Sequence, residues 1–139
     1  MNLLRYVNFG CSVSSVQGKD VKQYGKHNMF DLKADTSWNS SEGIPQWVVI
    51  RFEEPQSISK FLIQFQGGFA AKAVSASVQA RNGELIVEET FYPEDVNSPQ
   101  TFLLKAPVTK KEASKMKLLF PSSTDFFGRI IVYKIEIYE

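Results

Sequence analysis

The chain has 139 residues, 43% of them apolar and 13% aromatic, with eleven Phe and with 16 basic side chains against 15 acidic ones. That length suits one domain, here residues 1–139, able to bury about two-thirds of the surface its unfolded chain exposes. A net charge of +1 supplies no global field to draw in nucleic acid or an anionic membrane, and one Cys with one His excludes an internal disulfide and the usual structural zinc site.

Taken in order, the opening segment MNLLRYVNFGCSVSS breaks its apolar character with Arg5 and Asn8, which is not the pattern of a signal peptide. No later run approaches the ~20 apolar residues of a membrane span. These absences, with the unpaired Cys11, predict a nuclear or cytoplasmic protein. Residues 10–46 are polar and loop-like, hold Trp38 and the sequon Asn39-Ser40-Ser41, and could carry a short helix in Val21–Phe30. Strand-length apolar stretches follow: Trp47–Phe52, then Phe61–Phe65, which Gly67-Gly68 ends. Ala73–Arg81 and Glu84–Tyr92 flank Asn82-Gly83, the favoured central pair of a type I′ hairpin turn. Thr101–Lys105, Lys115–Phe120 and Arg129–Tyr138 complete the set, and Val108–Ser114 could make a helical turn or two. In the last strand Ile131, Tyr133, Ile135 and Ile137 alternate with Val132, Lys134 and Glu136, predicting one mainly buried face. Strands at intervals of about ten residues with little helix predict an all-β antiparallel sandwich or jelly roll.

Asp31-Leu-Lys-Ala-Asp35-Thr36-Ser37-Trp38-Asn39-Ser40, followed by Gln46-Trp47-Val48, resembles the "D-x-x-x-x-T-x-W-x-S…W" opening of the discoidin, or factor V/VIII type C, superfamily. Ile58–Ile63, Gln66-Gly67-Gly68-Phe69 and Arg129–Tyr138 resemble its third strand, the loop after it and its closing strand. The resemblance implies a galactose-binding-like β-sandwich. Phe65–Phe69, Phe91–Asp95 with Asn97-Ser98 and Gln100–Phe102, and Thr124–Arg129 resemble a narrower family, the orphan nuclear receptor-associated repressors named for binding a testicular receptor. That likeness, from about Val13 to Tyr138, implies a non-enzymatic nuclear protein that damps receptor-driven transcription.

Many bacterial members of the superfamily hold calcium in the loop that matches Asp31, Asp35 and Thr36, with a Glu from the closing strand. Oxygen donors from one tight loop are what a hard cation needs. Here Lys134 stands at the Glu position and Glu136 one step on, so an ion pair between Lys134 and Asp31 or Asp35 is expected in place of the ion; a plain hydrogen-bonded turn at Asp31 is the alternative. No cofactor is expected.

Gln66-Gly67-Gly68-Phe69 corresponds to a loop that superfamily members use for ligands. Its two Gly open backbone angles closed to other residues, and Phe69 either projects or tucks back. Asp125-Phe126-Phe127-Gly128-Arg129 poses the question more sharply, because adjacent aromatics on an extended loop point to opposite sides and are hard to bury together. One exposed aromatic beside Asp125 and Arg129 would make a protein-binding patch; a simple pair between Arg129 and Asp125 is the alternative. The resemblance would cluster these two loops with Trp38 at one end, unless Trp38 plugs the core. Glu94 and Asp95 sit in a Pro-containing turn rather than across a cleft, and His27 and Cys11 lack catalytic partners, so no enzyme is expected. The lysines 105, 110, 111, 115 and 117 read as a solvated face without interleaved aromatics, so no direct nucleic-acid contact is expected. Leu-x-x-Leu-Leu is absent, so a contact with a receptor would use the folded surface. The expected partner is a protein, an orphan nuclear receptor, bound sterically by the loop end. A sugar ligand on the same loops and a scaffold role in a larger complex are the alternatives.

Overall fold

The computed structural model describes residues 1–139. Its strands are β1 (Phe9–Val13), β2 (Trp38–Asn39), β3 (Gln46–Phe65), β4 (Val74–Gln79), β5 (Leu85–Phe91), β6 (Gln100–Phe120) and β7 (Ile131–Tyr138), with one four-residue helix, α1 (Val21–Tyr24). All pairings are antiparallel. Two strands are far longer than the apolar runs that announce them. The predicted strands 47–52 and 61–65 are halves of β3, and 101–105 and 115–120 are halves of β6. Register shifts between Arg51 and Lys60 mark where this long pair bends. One half of the pair carries β1, β4 and β5, and the other carries β7 and β2. The two resulting layers close on a core of 26 buried residues. Edge-to-face contacts stitch the layers, as between Phe61 and Phe91 at 5.3 Å and between Phe65 and Phe120 at 5.7 Å. The fold is the expected antiparallel β-sandwich.

Four local expectations are corrected. Residues 108–114 are strand rather than helix: Val108 pairs with Ile58 and Ala113 with Gln56, and both side chains are buried. A helix would have pulled those two side chains out of the core, and Lys111 at φ +51° absorbs the irregularity instead. The 82–83 turn is not type I′. Only Gly83 has positive φ, Arg81 and Asn82 are its central residues, and Gly83 N–H donates to Ala80 O at 2.9 Å. The alternation in β7 changes phase, because a bulge opposite Gln64 and Phe65 leaves Tyr133 unopposed and turns Val132 inward with Ile135 and Ile137. Trp38, expected among the contact residues, is 0% exposed, tilted against Phe120 at 6.4 Å and with its indole N–H donating to Ser15 O at 2.8 Å. It plugs the core, where its side chain is out of reach of a partner.

The helix expected in Val21–Phe30 forms in two pieces, α1 and a 3₁₀ turn at Lys26–Met29. The break falls at Gly25, where a Cβ would lie 2.2 Å from Val21 O. Asn39 of the sequon is buried, with its amide donating to Gln17 and its oxygen accepting from Ser37.

Candidate functional site

Four connections converge at one end of the sandwich: residues 40–45 before β3, 66–73 after it, 92–99 between β5 and β6, and 121–130 between β6 and β7. Side-chain hydrogen bonds hold them to one another. Asp95 Oδ1 accepts from Gly68 N–H at 2.8 Å and from the Thr124 hydroxyl at 3.2 Å, and Asn97 Oδ1 accepts from Gly67 N–H at 2.8 Å. Thr124 in turn accepts from Ala70 N–H. Buried Gln46 donates to Ser41 O and Gly43 O, fixing the first connection. Gly43 N–H then donates to Phe127 O at 2.8 Å. Gly128 permits that approach: its φ is +78°, and a Cβ would lie 2.9–3.0 Å from the Gly43 backbone.

Within this frame Arg129 is a strut. Its Nε and Nη2 donate to the Asp125 carboxylate at 2.9 and 3.2 Å, and its backbone N–H adds a third bond to the same group. The guanidinium carbon lies over two rings, 5.0 Å from the Phe69 centroid and 5.7 Å from that of Phe127. The Arg129 guanidinium holds the Asp125 carboxyl below the usual carboxylate range, and Asp125 pushes the Arg129 pKa further up, with Glu42 adding a smaller push. Phe69 therefore tucks back half-buried against the strut. Phe126 and Phe127 are displayed instead, 94% and 55% exposed, edge to face at 5.3 Å.

The structure thus brings together eight of the nine expected contact residues, Gln66, Gly67, Gly68, Phe69, Asp125, Phe126, Phe127 and Arg129, and removes Trp38. Gln66 is anchored by Tyr133, whose hydroxyl donates to Gln66 Oε1 at 3.1 Å. Sequence reasoning missed Asp95, Asn97 and Thr124 as the residues joining the loops, and missed Ile44, exposed one residue beyond Gly43. The available signal was the place of Asp95, Asn97 and Thr124 in the segments that resemble the narrower family; nothing local marked Ile44.

The Asp31 loop lies elsewhere, beside β7. Asp31 accepts from the Thr36 hydroxyl at 2.6 Å and from Lys33 N–H at 2.9 Å. Partial desolvation pushes its carboxyl up. The bonds from Thr36 and Lys33, with the nearby charges of Lys33 and His27, outweigh this and leave it below its ordinary value. The loop is a hydrogen-bonded turn, and the ion pair expected from Lys134 is absent: no carboxylate oxygen of Asp31 or Asp35 lies within 4 Å of it. Asp31 spends its oxygens locally instead.

No family model matches the chain. Among curated proteins, nuclear receptor 2C2-associated protein of Danio rerio is 45% identical over 126 residues, covering 90% of this chain and 86% of the relative. The Homo sapiens protein of the same name is 39% identical over 127 residues, covering 90% and 87%. Among solved structures, an F5/8 type C domain from Bacteroides fragilis superposes with TM-score 0.77 at 18% identity, covering 94% of this chain and 91% of that one. A family 32 CBM from C. perfringens in complex with galactose gives 0.74 at 18% identity, covering 94% and 93%. The solved structures share the fold, and the curated relatives share sequence along nearly their whole length: the chain belongs to the family of nuclear receptor 2C2-associated proteins.

Proposed function

We propose that the chain acts as one non-enzymatic domain that binds a protein partner, an orphan nuclear receptor, and damps receptor-driven transcription by occupying its surface. The observation that supports this reading is the exposed Phe126–Phe127 pair, carried on the loop that the Asp125–Arg129 strut closes, while Phe69 folds back. Preorganised aromatics lose little side-chain freedom on docking, which is why they dominate binding energetics. The relatives' printed names supply the class of partner, and the reading locates the protein in the nucleus. The test measures binding to purified nuclear receptor 2C2 by wild type and by a Phe126→Ala, Phe127→Ala variant. A tenfold or greater loss, about 1.4 kcal/mol, is expected, with a parallel loss of repression in a reporter assay. Unchanged binding by the variant would sink the loop-end surface.

A sugar ligand is the second reading, favoured by the galactose complex of the family 32 CBM and by rings beside an Arg. Against it, Asp125 already engages two side-chain donors of Arg129. A glycan array compares the two readings: a specific hit lost in Arg129→Ala would favour the sugar.

A further inference from the structure

Away from the displayed aromatics, a cleft of about 270 Å³ opens between the amino-terminal turn, the 28–34 loop and the outer side of β7. Its polar groups are unevenly engaged. Of its two carboxylates, Asp31 is committed to Thr36 and Lys33 N–H, and Glu136 accepts from the Tyr138 hydroxyl at 3.1 Å. Its three cations, Arg5, Lys33 and Lys134, have no carboxylate oxygen within 4 Å. The lining therefore carries three cations against two carboxylates, an excess of one positive charge. The apolar part of the lining includes Leu4, Met29, Phe30 and Ile135, and Leu32 stands at the rim, 74% exposed. Leu32 sits at φ +64°, in the left-handed region that bulky residues seldom adopt, and so is held there by the loop around it.

We infer that this cleft is a second binding site, for a compact organic anion: a carboxylate or phosphate joined to an apolar body about the size of one ring. The volume falls just under the usual range for small-molecule pockets, which sets the size limit. The three cations supply attraction for the anion, and the apolar lining supplies burial for the body. Asp31 and Glu136 stay charged, so the anion is attracted by the surplus of cations over carboxylates. Such a group could arrive free or as a side chain of a partner peptide.

The experiment titrates the full chain with phenyl phosphate, benzoate and neutral benzyl alcohol, following backbone amides by NMR, with a short phosphotyrosine peptide as a further arm. Saturable shifts at Asn28, Leu32 and Lys134 with the two anions, weakened by salt and absent with the alcohol, are expected. An Arg5→Gln, Lys134→Gln variant should bind at least tenfold more weakly while its melting temperature and its Phe126–Phe127 amides stay unchanged. Tighter binding of the peptide than of phenyl phosphate would assign the anion to a partner side chain, and equal or weaker binding to a free small molecule. Equal shifts from the alcohol, no saturable shift from either anion, full affinity in the variant, or calcium moving the same amides in the anions' place would overturn the site. Receptor binding through Phe126 and Phe127 is measured separately and stands or falls on its own.

Discussion

Gly128 shows how much of the site depends on one missing side chain. Its positive φ and its contact with Gly43 both bar a Cβ. Gly128→Ala should lower unfolding free energy by about 1–3 kcal/mol in urea titration, and should weaken partner binding by displacing Phe127. Asp125 makes the loop sensitive to acid. Its pKa is lower in the folded chain than the ordinary 3.8, so its contribution is complete above that value and is lost as pH falls through the depressed folded value. Amide exchange in residues 121–130 should rise selectively at that acid end, and Asp125→Asn should abolish the dependence. Cys11 is the opposite case. Burial pushes its thiol up to about 11 against the opposing charges of Lys26 and Arg51. At pH 8 it should react with a thiol reagent about a hundredfold more slowly than the urea-unfolded chain, the ratio that two pKa units imply. Comparable rates would mean that the thiol is not held in the folded packing.

Among the elements, the long bent strands β3 and β6 set the architecture, since each serves both layers and so places the loops at their ends side by side. Residues 108–114 carry a local pattern compatible with a helical turn, yet form strand, because Val108 and Ala113 become neighbours of Ile58 and Gln56 only when the strand bends, and a local pattern carries no record of the strand opposite. The 92–99 connection acts as a clip through Asp95 and Asn97. An Asp95→Ala, Asn97→Ala variant should lose about 1 kcal/mol for each hydrogen bond removed, with faster amide exchange at Gly67, Gly68 and Thr124. Slower or unchanged exchange there would show that the loops hold their shape independently.

At the scale of the molecule, stability rests on the core shared by the two layers, in which Phe61 touches both Phe91 and Phe102. Phe61→Ala should cost about 3–5 kcal/mol in equilibrium unfolding, whereas Phe126→Ala, at a side chain 94% exposed, should leave the midpoint within about 0.5 kcal/mol. That contrast separates residues kept for packing from those displayed for contact. A loss at Phe126 as large as at Phe61 would mean that the aromatic is structural.

The sequence by itself determined the fold class, because strand-length apolar runs with turn residues between them are local and periodic. It also located both aromatic loops, because adjacent Phe residues and a Gly pair are legible without knowing their neighbours. The tertiary structure decided which aromatics face water. Trp38 enters the core through a bond to Ser15, Phe69 folds onto Arg129, and Phe126 and Phe127 are left outside, each outcome set by residues remote in sequence or by the closure of a loop. It also decided that Asp31 bonds Thr36 while Lys134 stays unpaired beside it, because the spacing between a loop and a strand is fixed by packing and by nothing in the order of residues.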